Sequence, residues 1–184
     1  MASEKFNIEN GRIAFANDIW TAKSVNGSKP AFAASFLIPP THPAVAKLRA
    51  LFVKLANEQW GAKGAAQLKA LEATDKLCLH NGDTKTYAGY AGNLYVSARN
   101  QTKPRVVDRN ANDIDQSSGI IYSGCRVIAL LEIWTQDNQF GKRINATLRG
   151  VQFFADDERF SGGGAATDDE FQKLDATEEA DLMA

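Results

Sequence analysis

Three tyrosines and four cations crowd into "TYAGYAGNLYVSARNQTKPRVVDRN": Tyr87, Tyr90 and Tyr95, then Arg99, Lys103, Arg105 and Arg109. Flat rings stack on other flat rings, and Lys and Arg neutralise a line of anions. The two together suit a flexible polyanion that exposes planar groups, as an unpaired nucleic acid strand does; each stacked base is worth ~1–3 kcal/mol. Further rings and cations of the same kind are Trp20, Phe32, Tyr122, Trp134, Lys142, Arg143 and Arg149. Strand alternation must turn some of these rings inward. Tyr95, at the centre of "NLYVSA", and Trp134, at the end of an apolar run, are the readiest to become core.

Other chemistry finds little support. The histidines are His42 and His80. His42 sits at a helix start and is expected to face solvent. His80 follows Cys78 by two residues, but no second pair completes a zinc site. "DRNANDIDQSSG" places Asp108, Asn110 and Asn112 as in a calcium loop, yet Asp113 stands where Gly is needed and Gly119 where Glu is needed. Asp108, Asp113 and Asp115 read better as a polar surface loop than as a nuclease cluster. No phosphate-binding P-loop and no nucleophile elbow occur. No metal, no cofactor and no enzymatic activity are therefore expected.

Charge divides the chain. From Asp156 to Ala184 ten acids face two bases, a net of -8, while residues 1–155 carry 19 bases and 12 acids, a net of +7. The near-neutral total of -1 hides a basic body and an acidic tail, an asymmetry typical of nucleic-acid contact or of an interaction tail. "SGGGAATDDE" reads as a flexible linker, and a segment so rich in Gly and acids cannot bury enough surface to order itself. The expected division is a folded domain over 1–155 and a disordered acidic tail over 156–184.

A hydrophobic fraction of 44% over 184 residues suffices for one core. The start, "MASEKFNIENGR", lacks the apolar centre of an export signal, and the longest apolar run, Val127 to Leu131, is far too short to span a bilayer. A cytoplasmic protein with no membrane contact is expected, with Cys78 and Cys125 reduced.

The elements that must position the rings begin with a strand in "GRIAFANDIWTAKSV", bent at Asn17-Asp18. An Asn26-Gly27 turn makes it a hairpin with "AFAASFLIP". "THPAVAKLRALFVKLANEQWG" predicts a helix capped by Thr41, burying Val45, Leu48, Phe52 and Leu55, and "AKGAAQLKALEA" a weaker second helix. Short strands follow in "NLYVSARN", "PRVVD", "YSGCRVIALLEIW" and "GKRINATLRGVQFF". Five to seven strands with one helical insertion predict a mainly β protein, a small barrel.

"YAGYAGNLYVSARNQTKPRVVDRN", "IYSGCRVIALLEIW" and "GKRINATLRGVQFFADDERFSGGG" together resemble the single-stranded-DNA-binding proteins of tailed bacteriophages. "TKPRVVDRN" and "YSGC" are the most specific segments, and the likeness runs over roughly residues 10–171. The resemblance implies a five-stranded antiparallel barrel of the OB-fold type with an inserted helical segment. It implies sequence-independent coating of single-stranded DNA in phage replication, recombination and repair, and replication proteins as partners of the acidic tail. Residues expected on the strand are Trp20, Phe32, Tyr87, Tyr90, Arg99, Lys103, Arg105, Arg109, Tyr122, Lys142 and Arg143. Those expected on a tail partner are Asp168, Asp169, Glu170 and Phe171. A strand-annealing protein and a phage structural module without nucleic-acid contact are the competing readings, and a homo-oligomer is left open.

Overall fold

The computed structural model describes residues 1–160 together with Phe171, Gln172 and Leu174. Among these, seven strands and two α-helices follow in the order β1 (Ser3–Ala14), β2 (Phe32–Ile38), α1 (Pro43–Trp60), α2 (Gly64–Ala73), β3 (Leu79–Asn81), β4 (Leu94–Asn100), β5 (Arg105–Val107), β6 (Arg126–Asn138) and β7 (Gly141–Ala155). The sheet order is β3-β4-β2-β1-β6-β7-β5, and a further pairing of β4 with β7 closes β1, β2, β4, β7 and β6 into a five-stranded barrel. The OB-fold barrel is thus present, with β3 and β5 added at its flanks. It departs from the antiparallel expectation at its seam, where β4 meets β7 in parallel, Arg99 opposite Thr147. β5 also runs parallel to β7.

The period of two decides which way each strand faces. On β6, Val127, Ala129, Leu131, Ile133 and Thr135 are all fully buried. Thr135 buries its hydroxyl at no cost, because it donates to Gln59 Oε1 at 2.9 Å and accepts from the Ala2 amide at 2.9 Å. Ile144, Ala146 and Leu148 of β7 meet them from the next strand. α1 buries Val45, Leu48, Phe52 and Leu55, as its spacing predicts, together with Ala44, Leu51 and Ala56, and lies against β1 and β6.

Three local expectations are corrected. β1 begins at Ser3 and its bulge falls between Ile8 and Gly11, so the Asn17-Asp18 break belongs to a 3₁₀ turn after the strand has ended. Asn26 and Gly27 do adopt left-handed φ of 51° and 74°, but they close only the isolated Lys23–Ala31 bridge inside the long β1–β2 loop. The cap of α1 is His42: its Nδ1 accepts from the Ala44 amide at 3.0 Å, and its Nε2 lies 2.7 Å from the Glu9 carbonyl. A ring held at both nitrogens is not the solvent-facing histidine expected.

Cys78 and Cys125 are free and buried. Burial pushes the Cys78 thiol up to about 12 and raises that of Cys125, so neither is a reactive thiolate. Among the described residues no helix is long and apolar enough to cross a membrane.

Candidate nucleic-acid interface

A groove of about 840 Å³ crosses the outer face of the barrel over the parallel seam. Its floor is the set of side chains that alternate outward: Ser97 and Arg99 on β4, Trp134 and Gln136 on β6, Arg143, Asn145 and Thr147 on β7. Ser28, Lys29 and Ala31 of the β1–β2 loop form one rim, and Gln101 and Thr102 another. Trp134 is fixed in place because its Nε1–H donates to Thr147 Oγ1 at 3.0 Å. Asn145 donates to Gln136 Oε1 at 2.9 Å. The groove therefore offers one oriented indole, three cations (Lys29, Arg99 and Arg143) and a row of amides.

At the groove edge His80 bridges Asp75 and Ser97, with Nδ1 at 2.7 Å from the carboxylate and Nε2 at 3.0 Å from the hydroxyl. A carboxylate only accepts, so Nδ1 carries the proton and in the neutral ring Nε2 accepts from Ser97. His80 stacks on Tyr95, with centroids 4.9 Å apart and planes at 27°. From there a ladder of rings continues through Tyr90 at 5.0 Å, Tyr87 at 5.4 Å and Phe15 at 5.1 Å.

The rings and cations read from sequence separate into distinct places. Arg99 and Arg143 line the groove. Tyr87 is exposed, at 53%. Tyr90 is corrected from a stacking ring to a packing one: it is 2% exposed, packed with Ala14, Leu37, Tyr95 and Phe160, and burial raises its hydroxyl pKa, as it does for Tyr95. Trp20 and Lys103 meet each other, the ammonium 5.8 Å from the ring centroid, joining the β1–β2 loop to the β4–β5 loop. Phe32 is half-buried at the start of β2, in register with Asn100. Lys142 sits opposite Asp137 near the tip of the β6–β7 hairpin. Arg105 pairs with Asp113 at 2.8 Å, and Arg109 donates to the Phe154 carbonyl at 2.7 Å; neither lines the groove.

Tyr122 holds the chain that leaves β7. Its hydroxyl bonds to Asp156 Oδ1 at 2.8 Å and accepts from the Asp157 amide at 3.1 Å, while Arg159 covers its ring at 4.2 Å. Ring face and hydroxyl are both occupied, which corrects its expected role on the strand. Asp157 reaches Arg126 at 2.9 Å and Arg12 at 3.4 Å. The Glu158 amide, followed by the two guanidinium charges, holds the Asp157 carboxyl below its ordinary range. Residues 156–160, part of the tail by sequence, thus lie clasped against the body. Phe171 is 69% exposed. Asp168, Asp169 and Glu170 lie outside the described residues.

Trp134 and Lys29 line the groove but are missing from the set expected on the strand. Trp134, expected from its place at the end of an apolar run to be among the readiest to become core, is instead outward, in phase with Arg126 and Glu132 on β6. Lys29 is not legible either, since nothing in "VNGSKP" says which way the loop folds. Phe140 at the β6–β7 tip, 81% exposed, is a further ring that sequence does not single out.

The chain and its fold are similar to those of known proteins. The family described as Enterobacter phage Enc34, ssDNA-binding protein, matches residues 4–183. A protein designated p50 from Acyrthosiphon pisum secondary endosymbiont phage 1 is 39% identical over 184 residues, covering 98% of this chain and 99% of its own. Among solved structures, the single-stranded DNA-binding protein from bacteriophage Enc34 in complex with ssDNA is similar at a TM-score of 0.70 and 27% identity, over 85% of this chain and 89% of that one. The single-stranded DNA binding protein gp2.5 of bacteriophage T7 shares the fold at a TM-score of 0.57 and 15% identity, over 94% and 97%.

Proposed function

The chain belongs to the Enterobacter phage Enc34 ssDNA-binding protein family, and from that premise we propose that it binds single-stranded DNA without sequence preference. It coats strands exposed during phage DNA replication, recombination and repair in the host cytoplasm. The observation that carries this reading is the groove over the β4–β7 seam, where the oriented Trp134 lies among Lys29, Arg99 and Arg143. An indole face accepts any base, and the cations accept the phosphates on either side, so affinity needs no base-edge contact. Lys103, Lys142 and the exposed Tyr87 extend the same chemistry beyond the groove, and Trp20 and Phe32 support its loop wall.

The acidic tail has two roles in this reading. Its charge past the clasp, a net of -6 over residues 161–184, competes with phosphates for the basic body, and a bound strand frees it to meet replication proteins, with "DDEF" at 168–171 as the contact. A fluorescence titration with a poly-thymidine oligonucleotide and a duplex of equal length, at several salt concentrations, tests the proposal. Tight, salt-sensitive binding to the single strand with quenching of Trp emission is expected. Equal affinity for the duplex would reduce the groove to a general phosphate site, and no binding would sink the reading.

A further inference from the structure

At the end of the ring ladder away from the groove, Phe15 and Tyr87 stand 45% and 53% exposed. Their planes meet at 89° with centroids 5.1 Å apart. With Ala14, Tyr90 and Phe160 they wall an open cavity of about 300 Å³. Phe15 holds a left-handed backbone, φ 58° and ψ 42°, which a bulky side chain adopts only where its surroundings impose it. Here the Ala16 amide donates to Ser123 Oγ and the Asp18 amide to the Phe15 carbonyl, both at 3.0 Å. The strained residue aims an apolar ring at solvent, so core packing does not account for it.

The remaining wall comes from the clasp. The Phe160 amide donates to the Ser123 carbonyl at 3.1 Å, and the Arg12 guanidinium lies 4.3 Å over its ring. The ring rests on Gly89, where a Cβ would overlap it.

We infer that this corner is a nucleobase subsite, taking one unstacked base of a strand whose backbone runs through the groove, and that residues 156–160 are its fixed wall. The inference rests on the strand-binding reading above. Two rings at right angles let a planar heterocycle stack on one while its electropositive edge meets the face of the other. Lys23 at the mouth, 2.6 Å from Asp18, offsets the acid of that wall. The ladder fixes the corner relative to the groove through the packed Tyr90 and Tyr95, since His80, its last ring, lines the groove. The clasp thereby differs from the rest of the acidic end: Asp156 to Phe160 build the site, and the seven acids and one base past Phe160 carry a further net charge of -6.

The test uses oligothymidylates of graded length with the full chain, with its Tyr87→Ala and Gly89→Val variants, and with chains ending at Phe160 and at Ala155. Oligonucleotides carrying 5-iodouracil are photocrosslinked in parallel and the labelled residues read by mass spectrometry. Expected are crosslinks at Phe15 or Tyr87 in the full chain and in the chain ending at Phe160, and their loss in the chain ending at Ala155. Both point variants should bind the shortest oligonucleotides as the full chain does and lose about 10-fold on longer ones. Strand binding by the full chain without crosslinks at Phe15 or Tyr87, or an equal loss at every length, would overturn the subsite and leave the groove standing. No binding by the full chain at any length would overturn the strand-binding reading itself.

Discussion

The groove and the aromatic corner both open on the outer surface of one barrel, yet they are built in opposite ways. The floor of the groove is made by strands. Ser97, Arg99, Trp134, Arg143 and Thr147 stand at positions set by the β4–β7 and β6–β7 ladders. The corner is made by loops and by the chain leaving β7. Its rings are placed by a left-handed Phe15, by the loop carrying Tyr87, and by a clasp of hydrogen bonds and ion pairs on Arg12, Tyr122 and Arg126. Binding and folding are therefore separable in one region and joined in the other. Groove side chains can be changed without disturbing the ladders beneath them, so their loss should read as lost affinity. Corner side chains hold one another, so a change there also moves the clasp.

The largest expected effect tests the groove side of that contrast. Removing Arg99 and Arg143 together should weaken binding of a thymidine oligonucleotide about 100-fold at low salt, since each hydrogen bond to a charged group contributes ~1.5–3 kcal/mol. The slope of log affinity against log salt should fall by about 1.4, at ~0.7 for each phosphate no longer neutralised. The melting temperature should stay unchanged. A variant that instead unfolds would erase the distinction between groove and corner.

Trp134→Ala comes next, with a loss of about 10-fold, and Trp134→Phe should recover most of it because a ring remains. Equal loss in both would mean that the Nε1–H bond to Thr147 matters more than the stacking face.

On the other side of the contrast, a chain ending at Phe160 should bind several-fold more tightly than the full chain at low salt. The gain should fade as the Debye length shrinks toward ~8 Å at physiological ionic strength. A chain ending at Ala155 should gain less, having lost Phe160 from the corner along with the acids. Identical titrations for the two truncations would merge clasp and tail into one segment.

The smallest effect concerns acid. The Asp157 carboxyl is held below its ordinary range by the Glu158 amide, with Arg12 and Arg126 adding to it. Its contribution to clasp docking is therefore fully present above the ordinary aspartate value of ~3.9 and lost as pH falls through the lower folded value. Tryptic cleavage after Arg159 should be slow in Asp157-intact protein near neutral pH and faster in Asp157→Asn. Reversible release of the clasp in acid, followed by the fluorescence of a probe near Phe160, should vanish in the same variant. Release that begins near neutrality would point to a different group.

Much of this protein can be read from its residues alone. The largely apolar run from Val127 to Ile133 specifies β6, the spacing of Val45, Leu48, Phe52 and Leu55 specifies α1, and the charge division separates a basic body from an acidic end. These are local properties, written in periods of 2 and 3.6 residues that need no partner to be seen. The outward position of Trp134 is not legible: the apolar run before it suggests core, and the register of β6 on β7 is what sets it in phase with Arg126 and Glu132. Nor is the closure of the barrel. β4 and β7 are paired by a parallel bridge between Arg99 and Thr147, and no spacing along the chain announces which distant edge a strand will meet.

The fate of the individual rings was also decided only in three dimensions. Tyr90 and Tyr87 share one short segment and one chemistry, yet one is 2% exposed and the other 53%. Both lie in the turn segment before β4, where no period applies, and Tyr90 is separated from Tyr87 by its packing on Ala14, Leu37, Tyr95 and Phe160. Tyr122 offers a ring by sequence, whereas in the fold its hydroxyl and its ring face are both engaged by the clasp. Asp156 and Asp157 belong to the acidic end by composition, although Arg12, Arg126 and Tyr122 draw them onto the body. Composition and period thus determined a basic, mainly β body with an acidic end. Which aromatic and charged groups stay free to bind was settled by long-range contacts, because availability depends on what else the folded chain brings within a few ångströms.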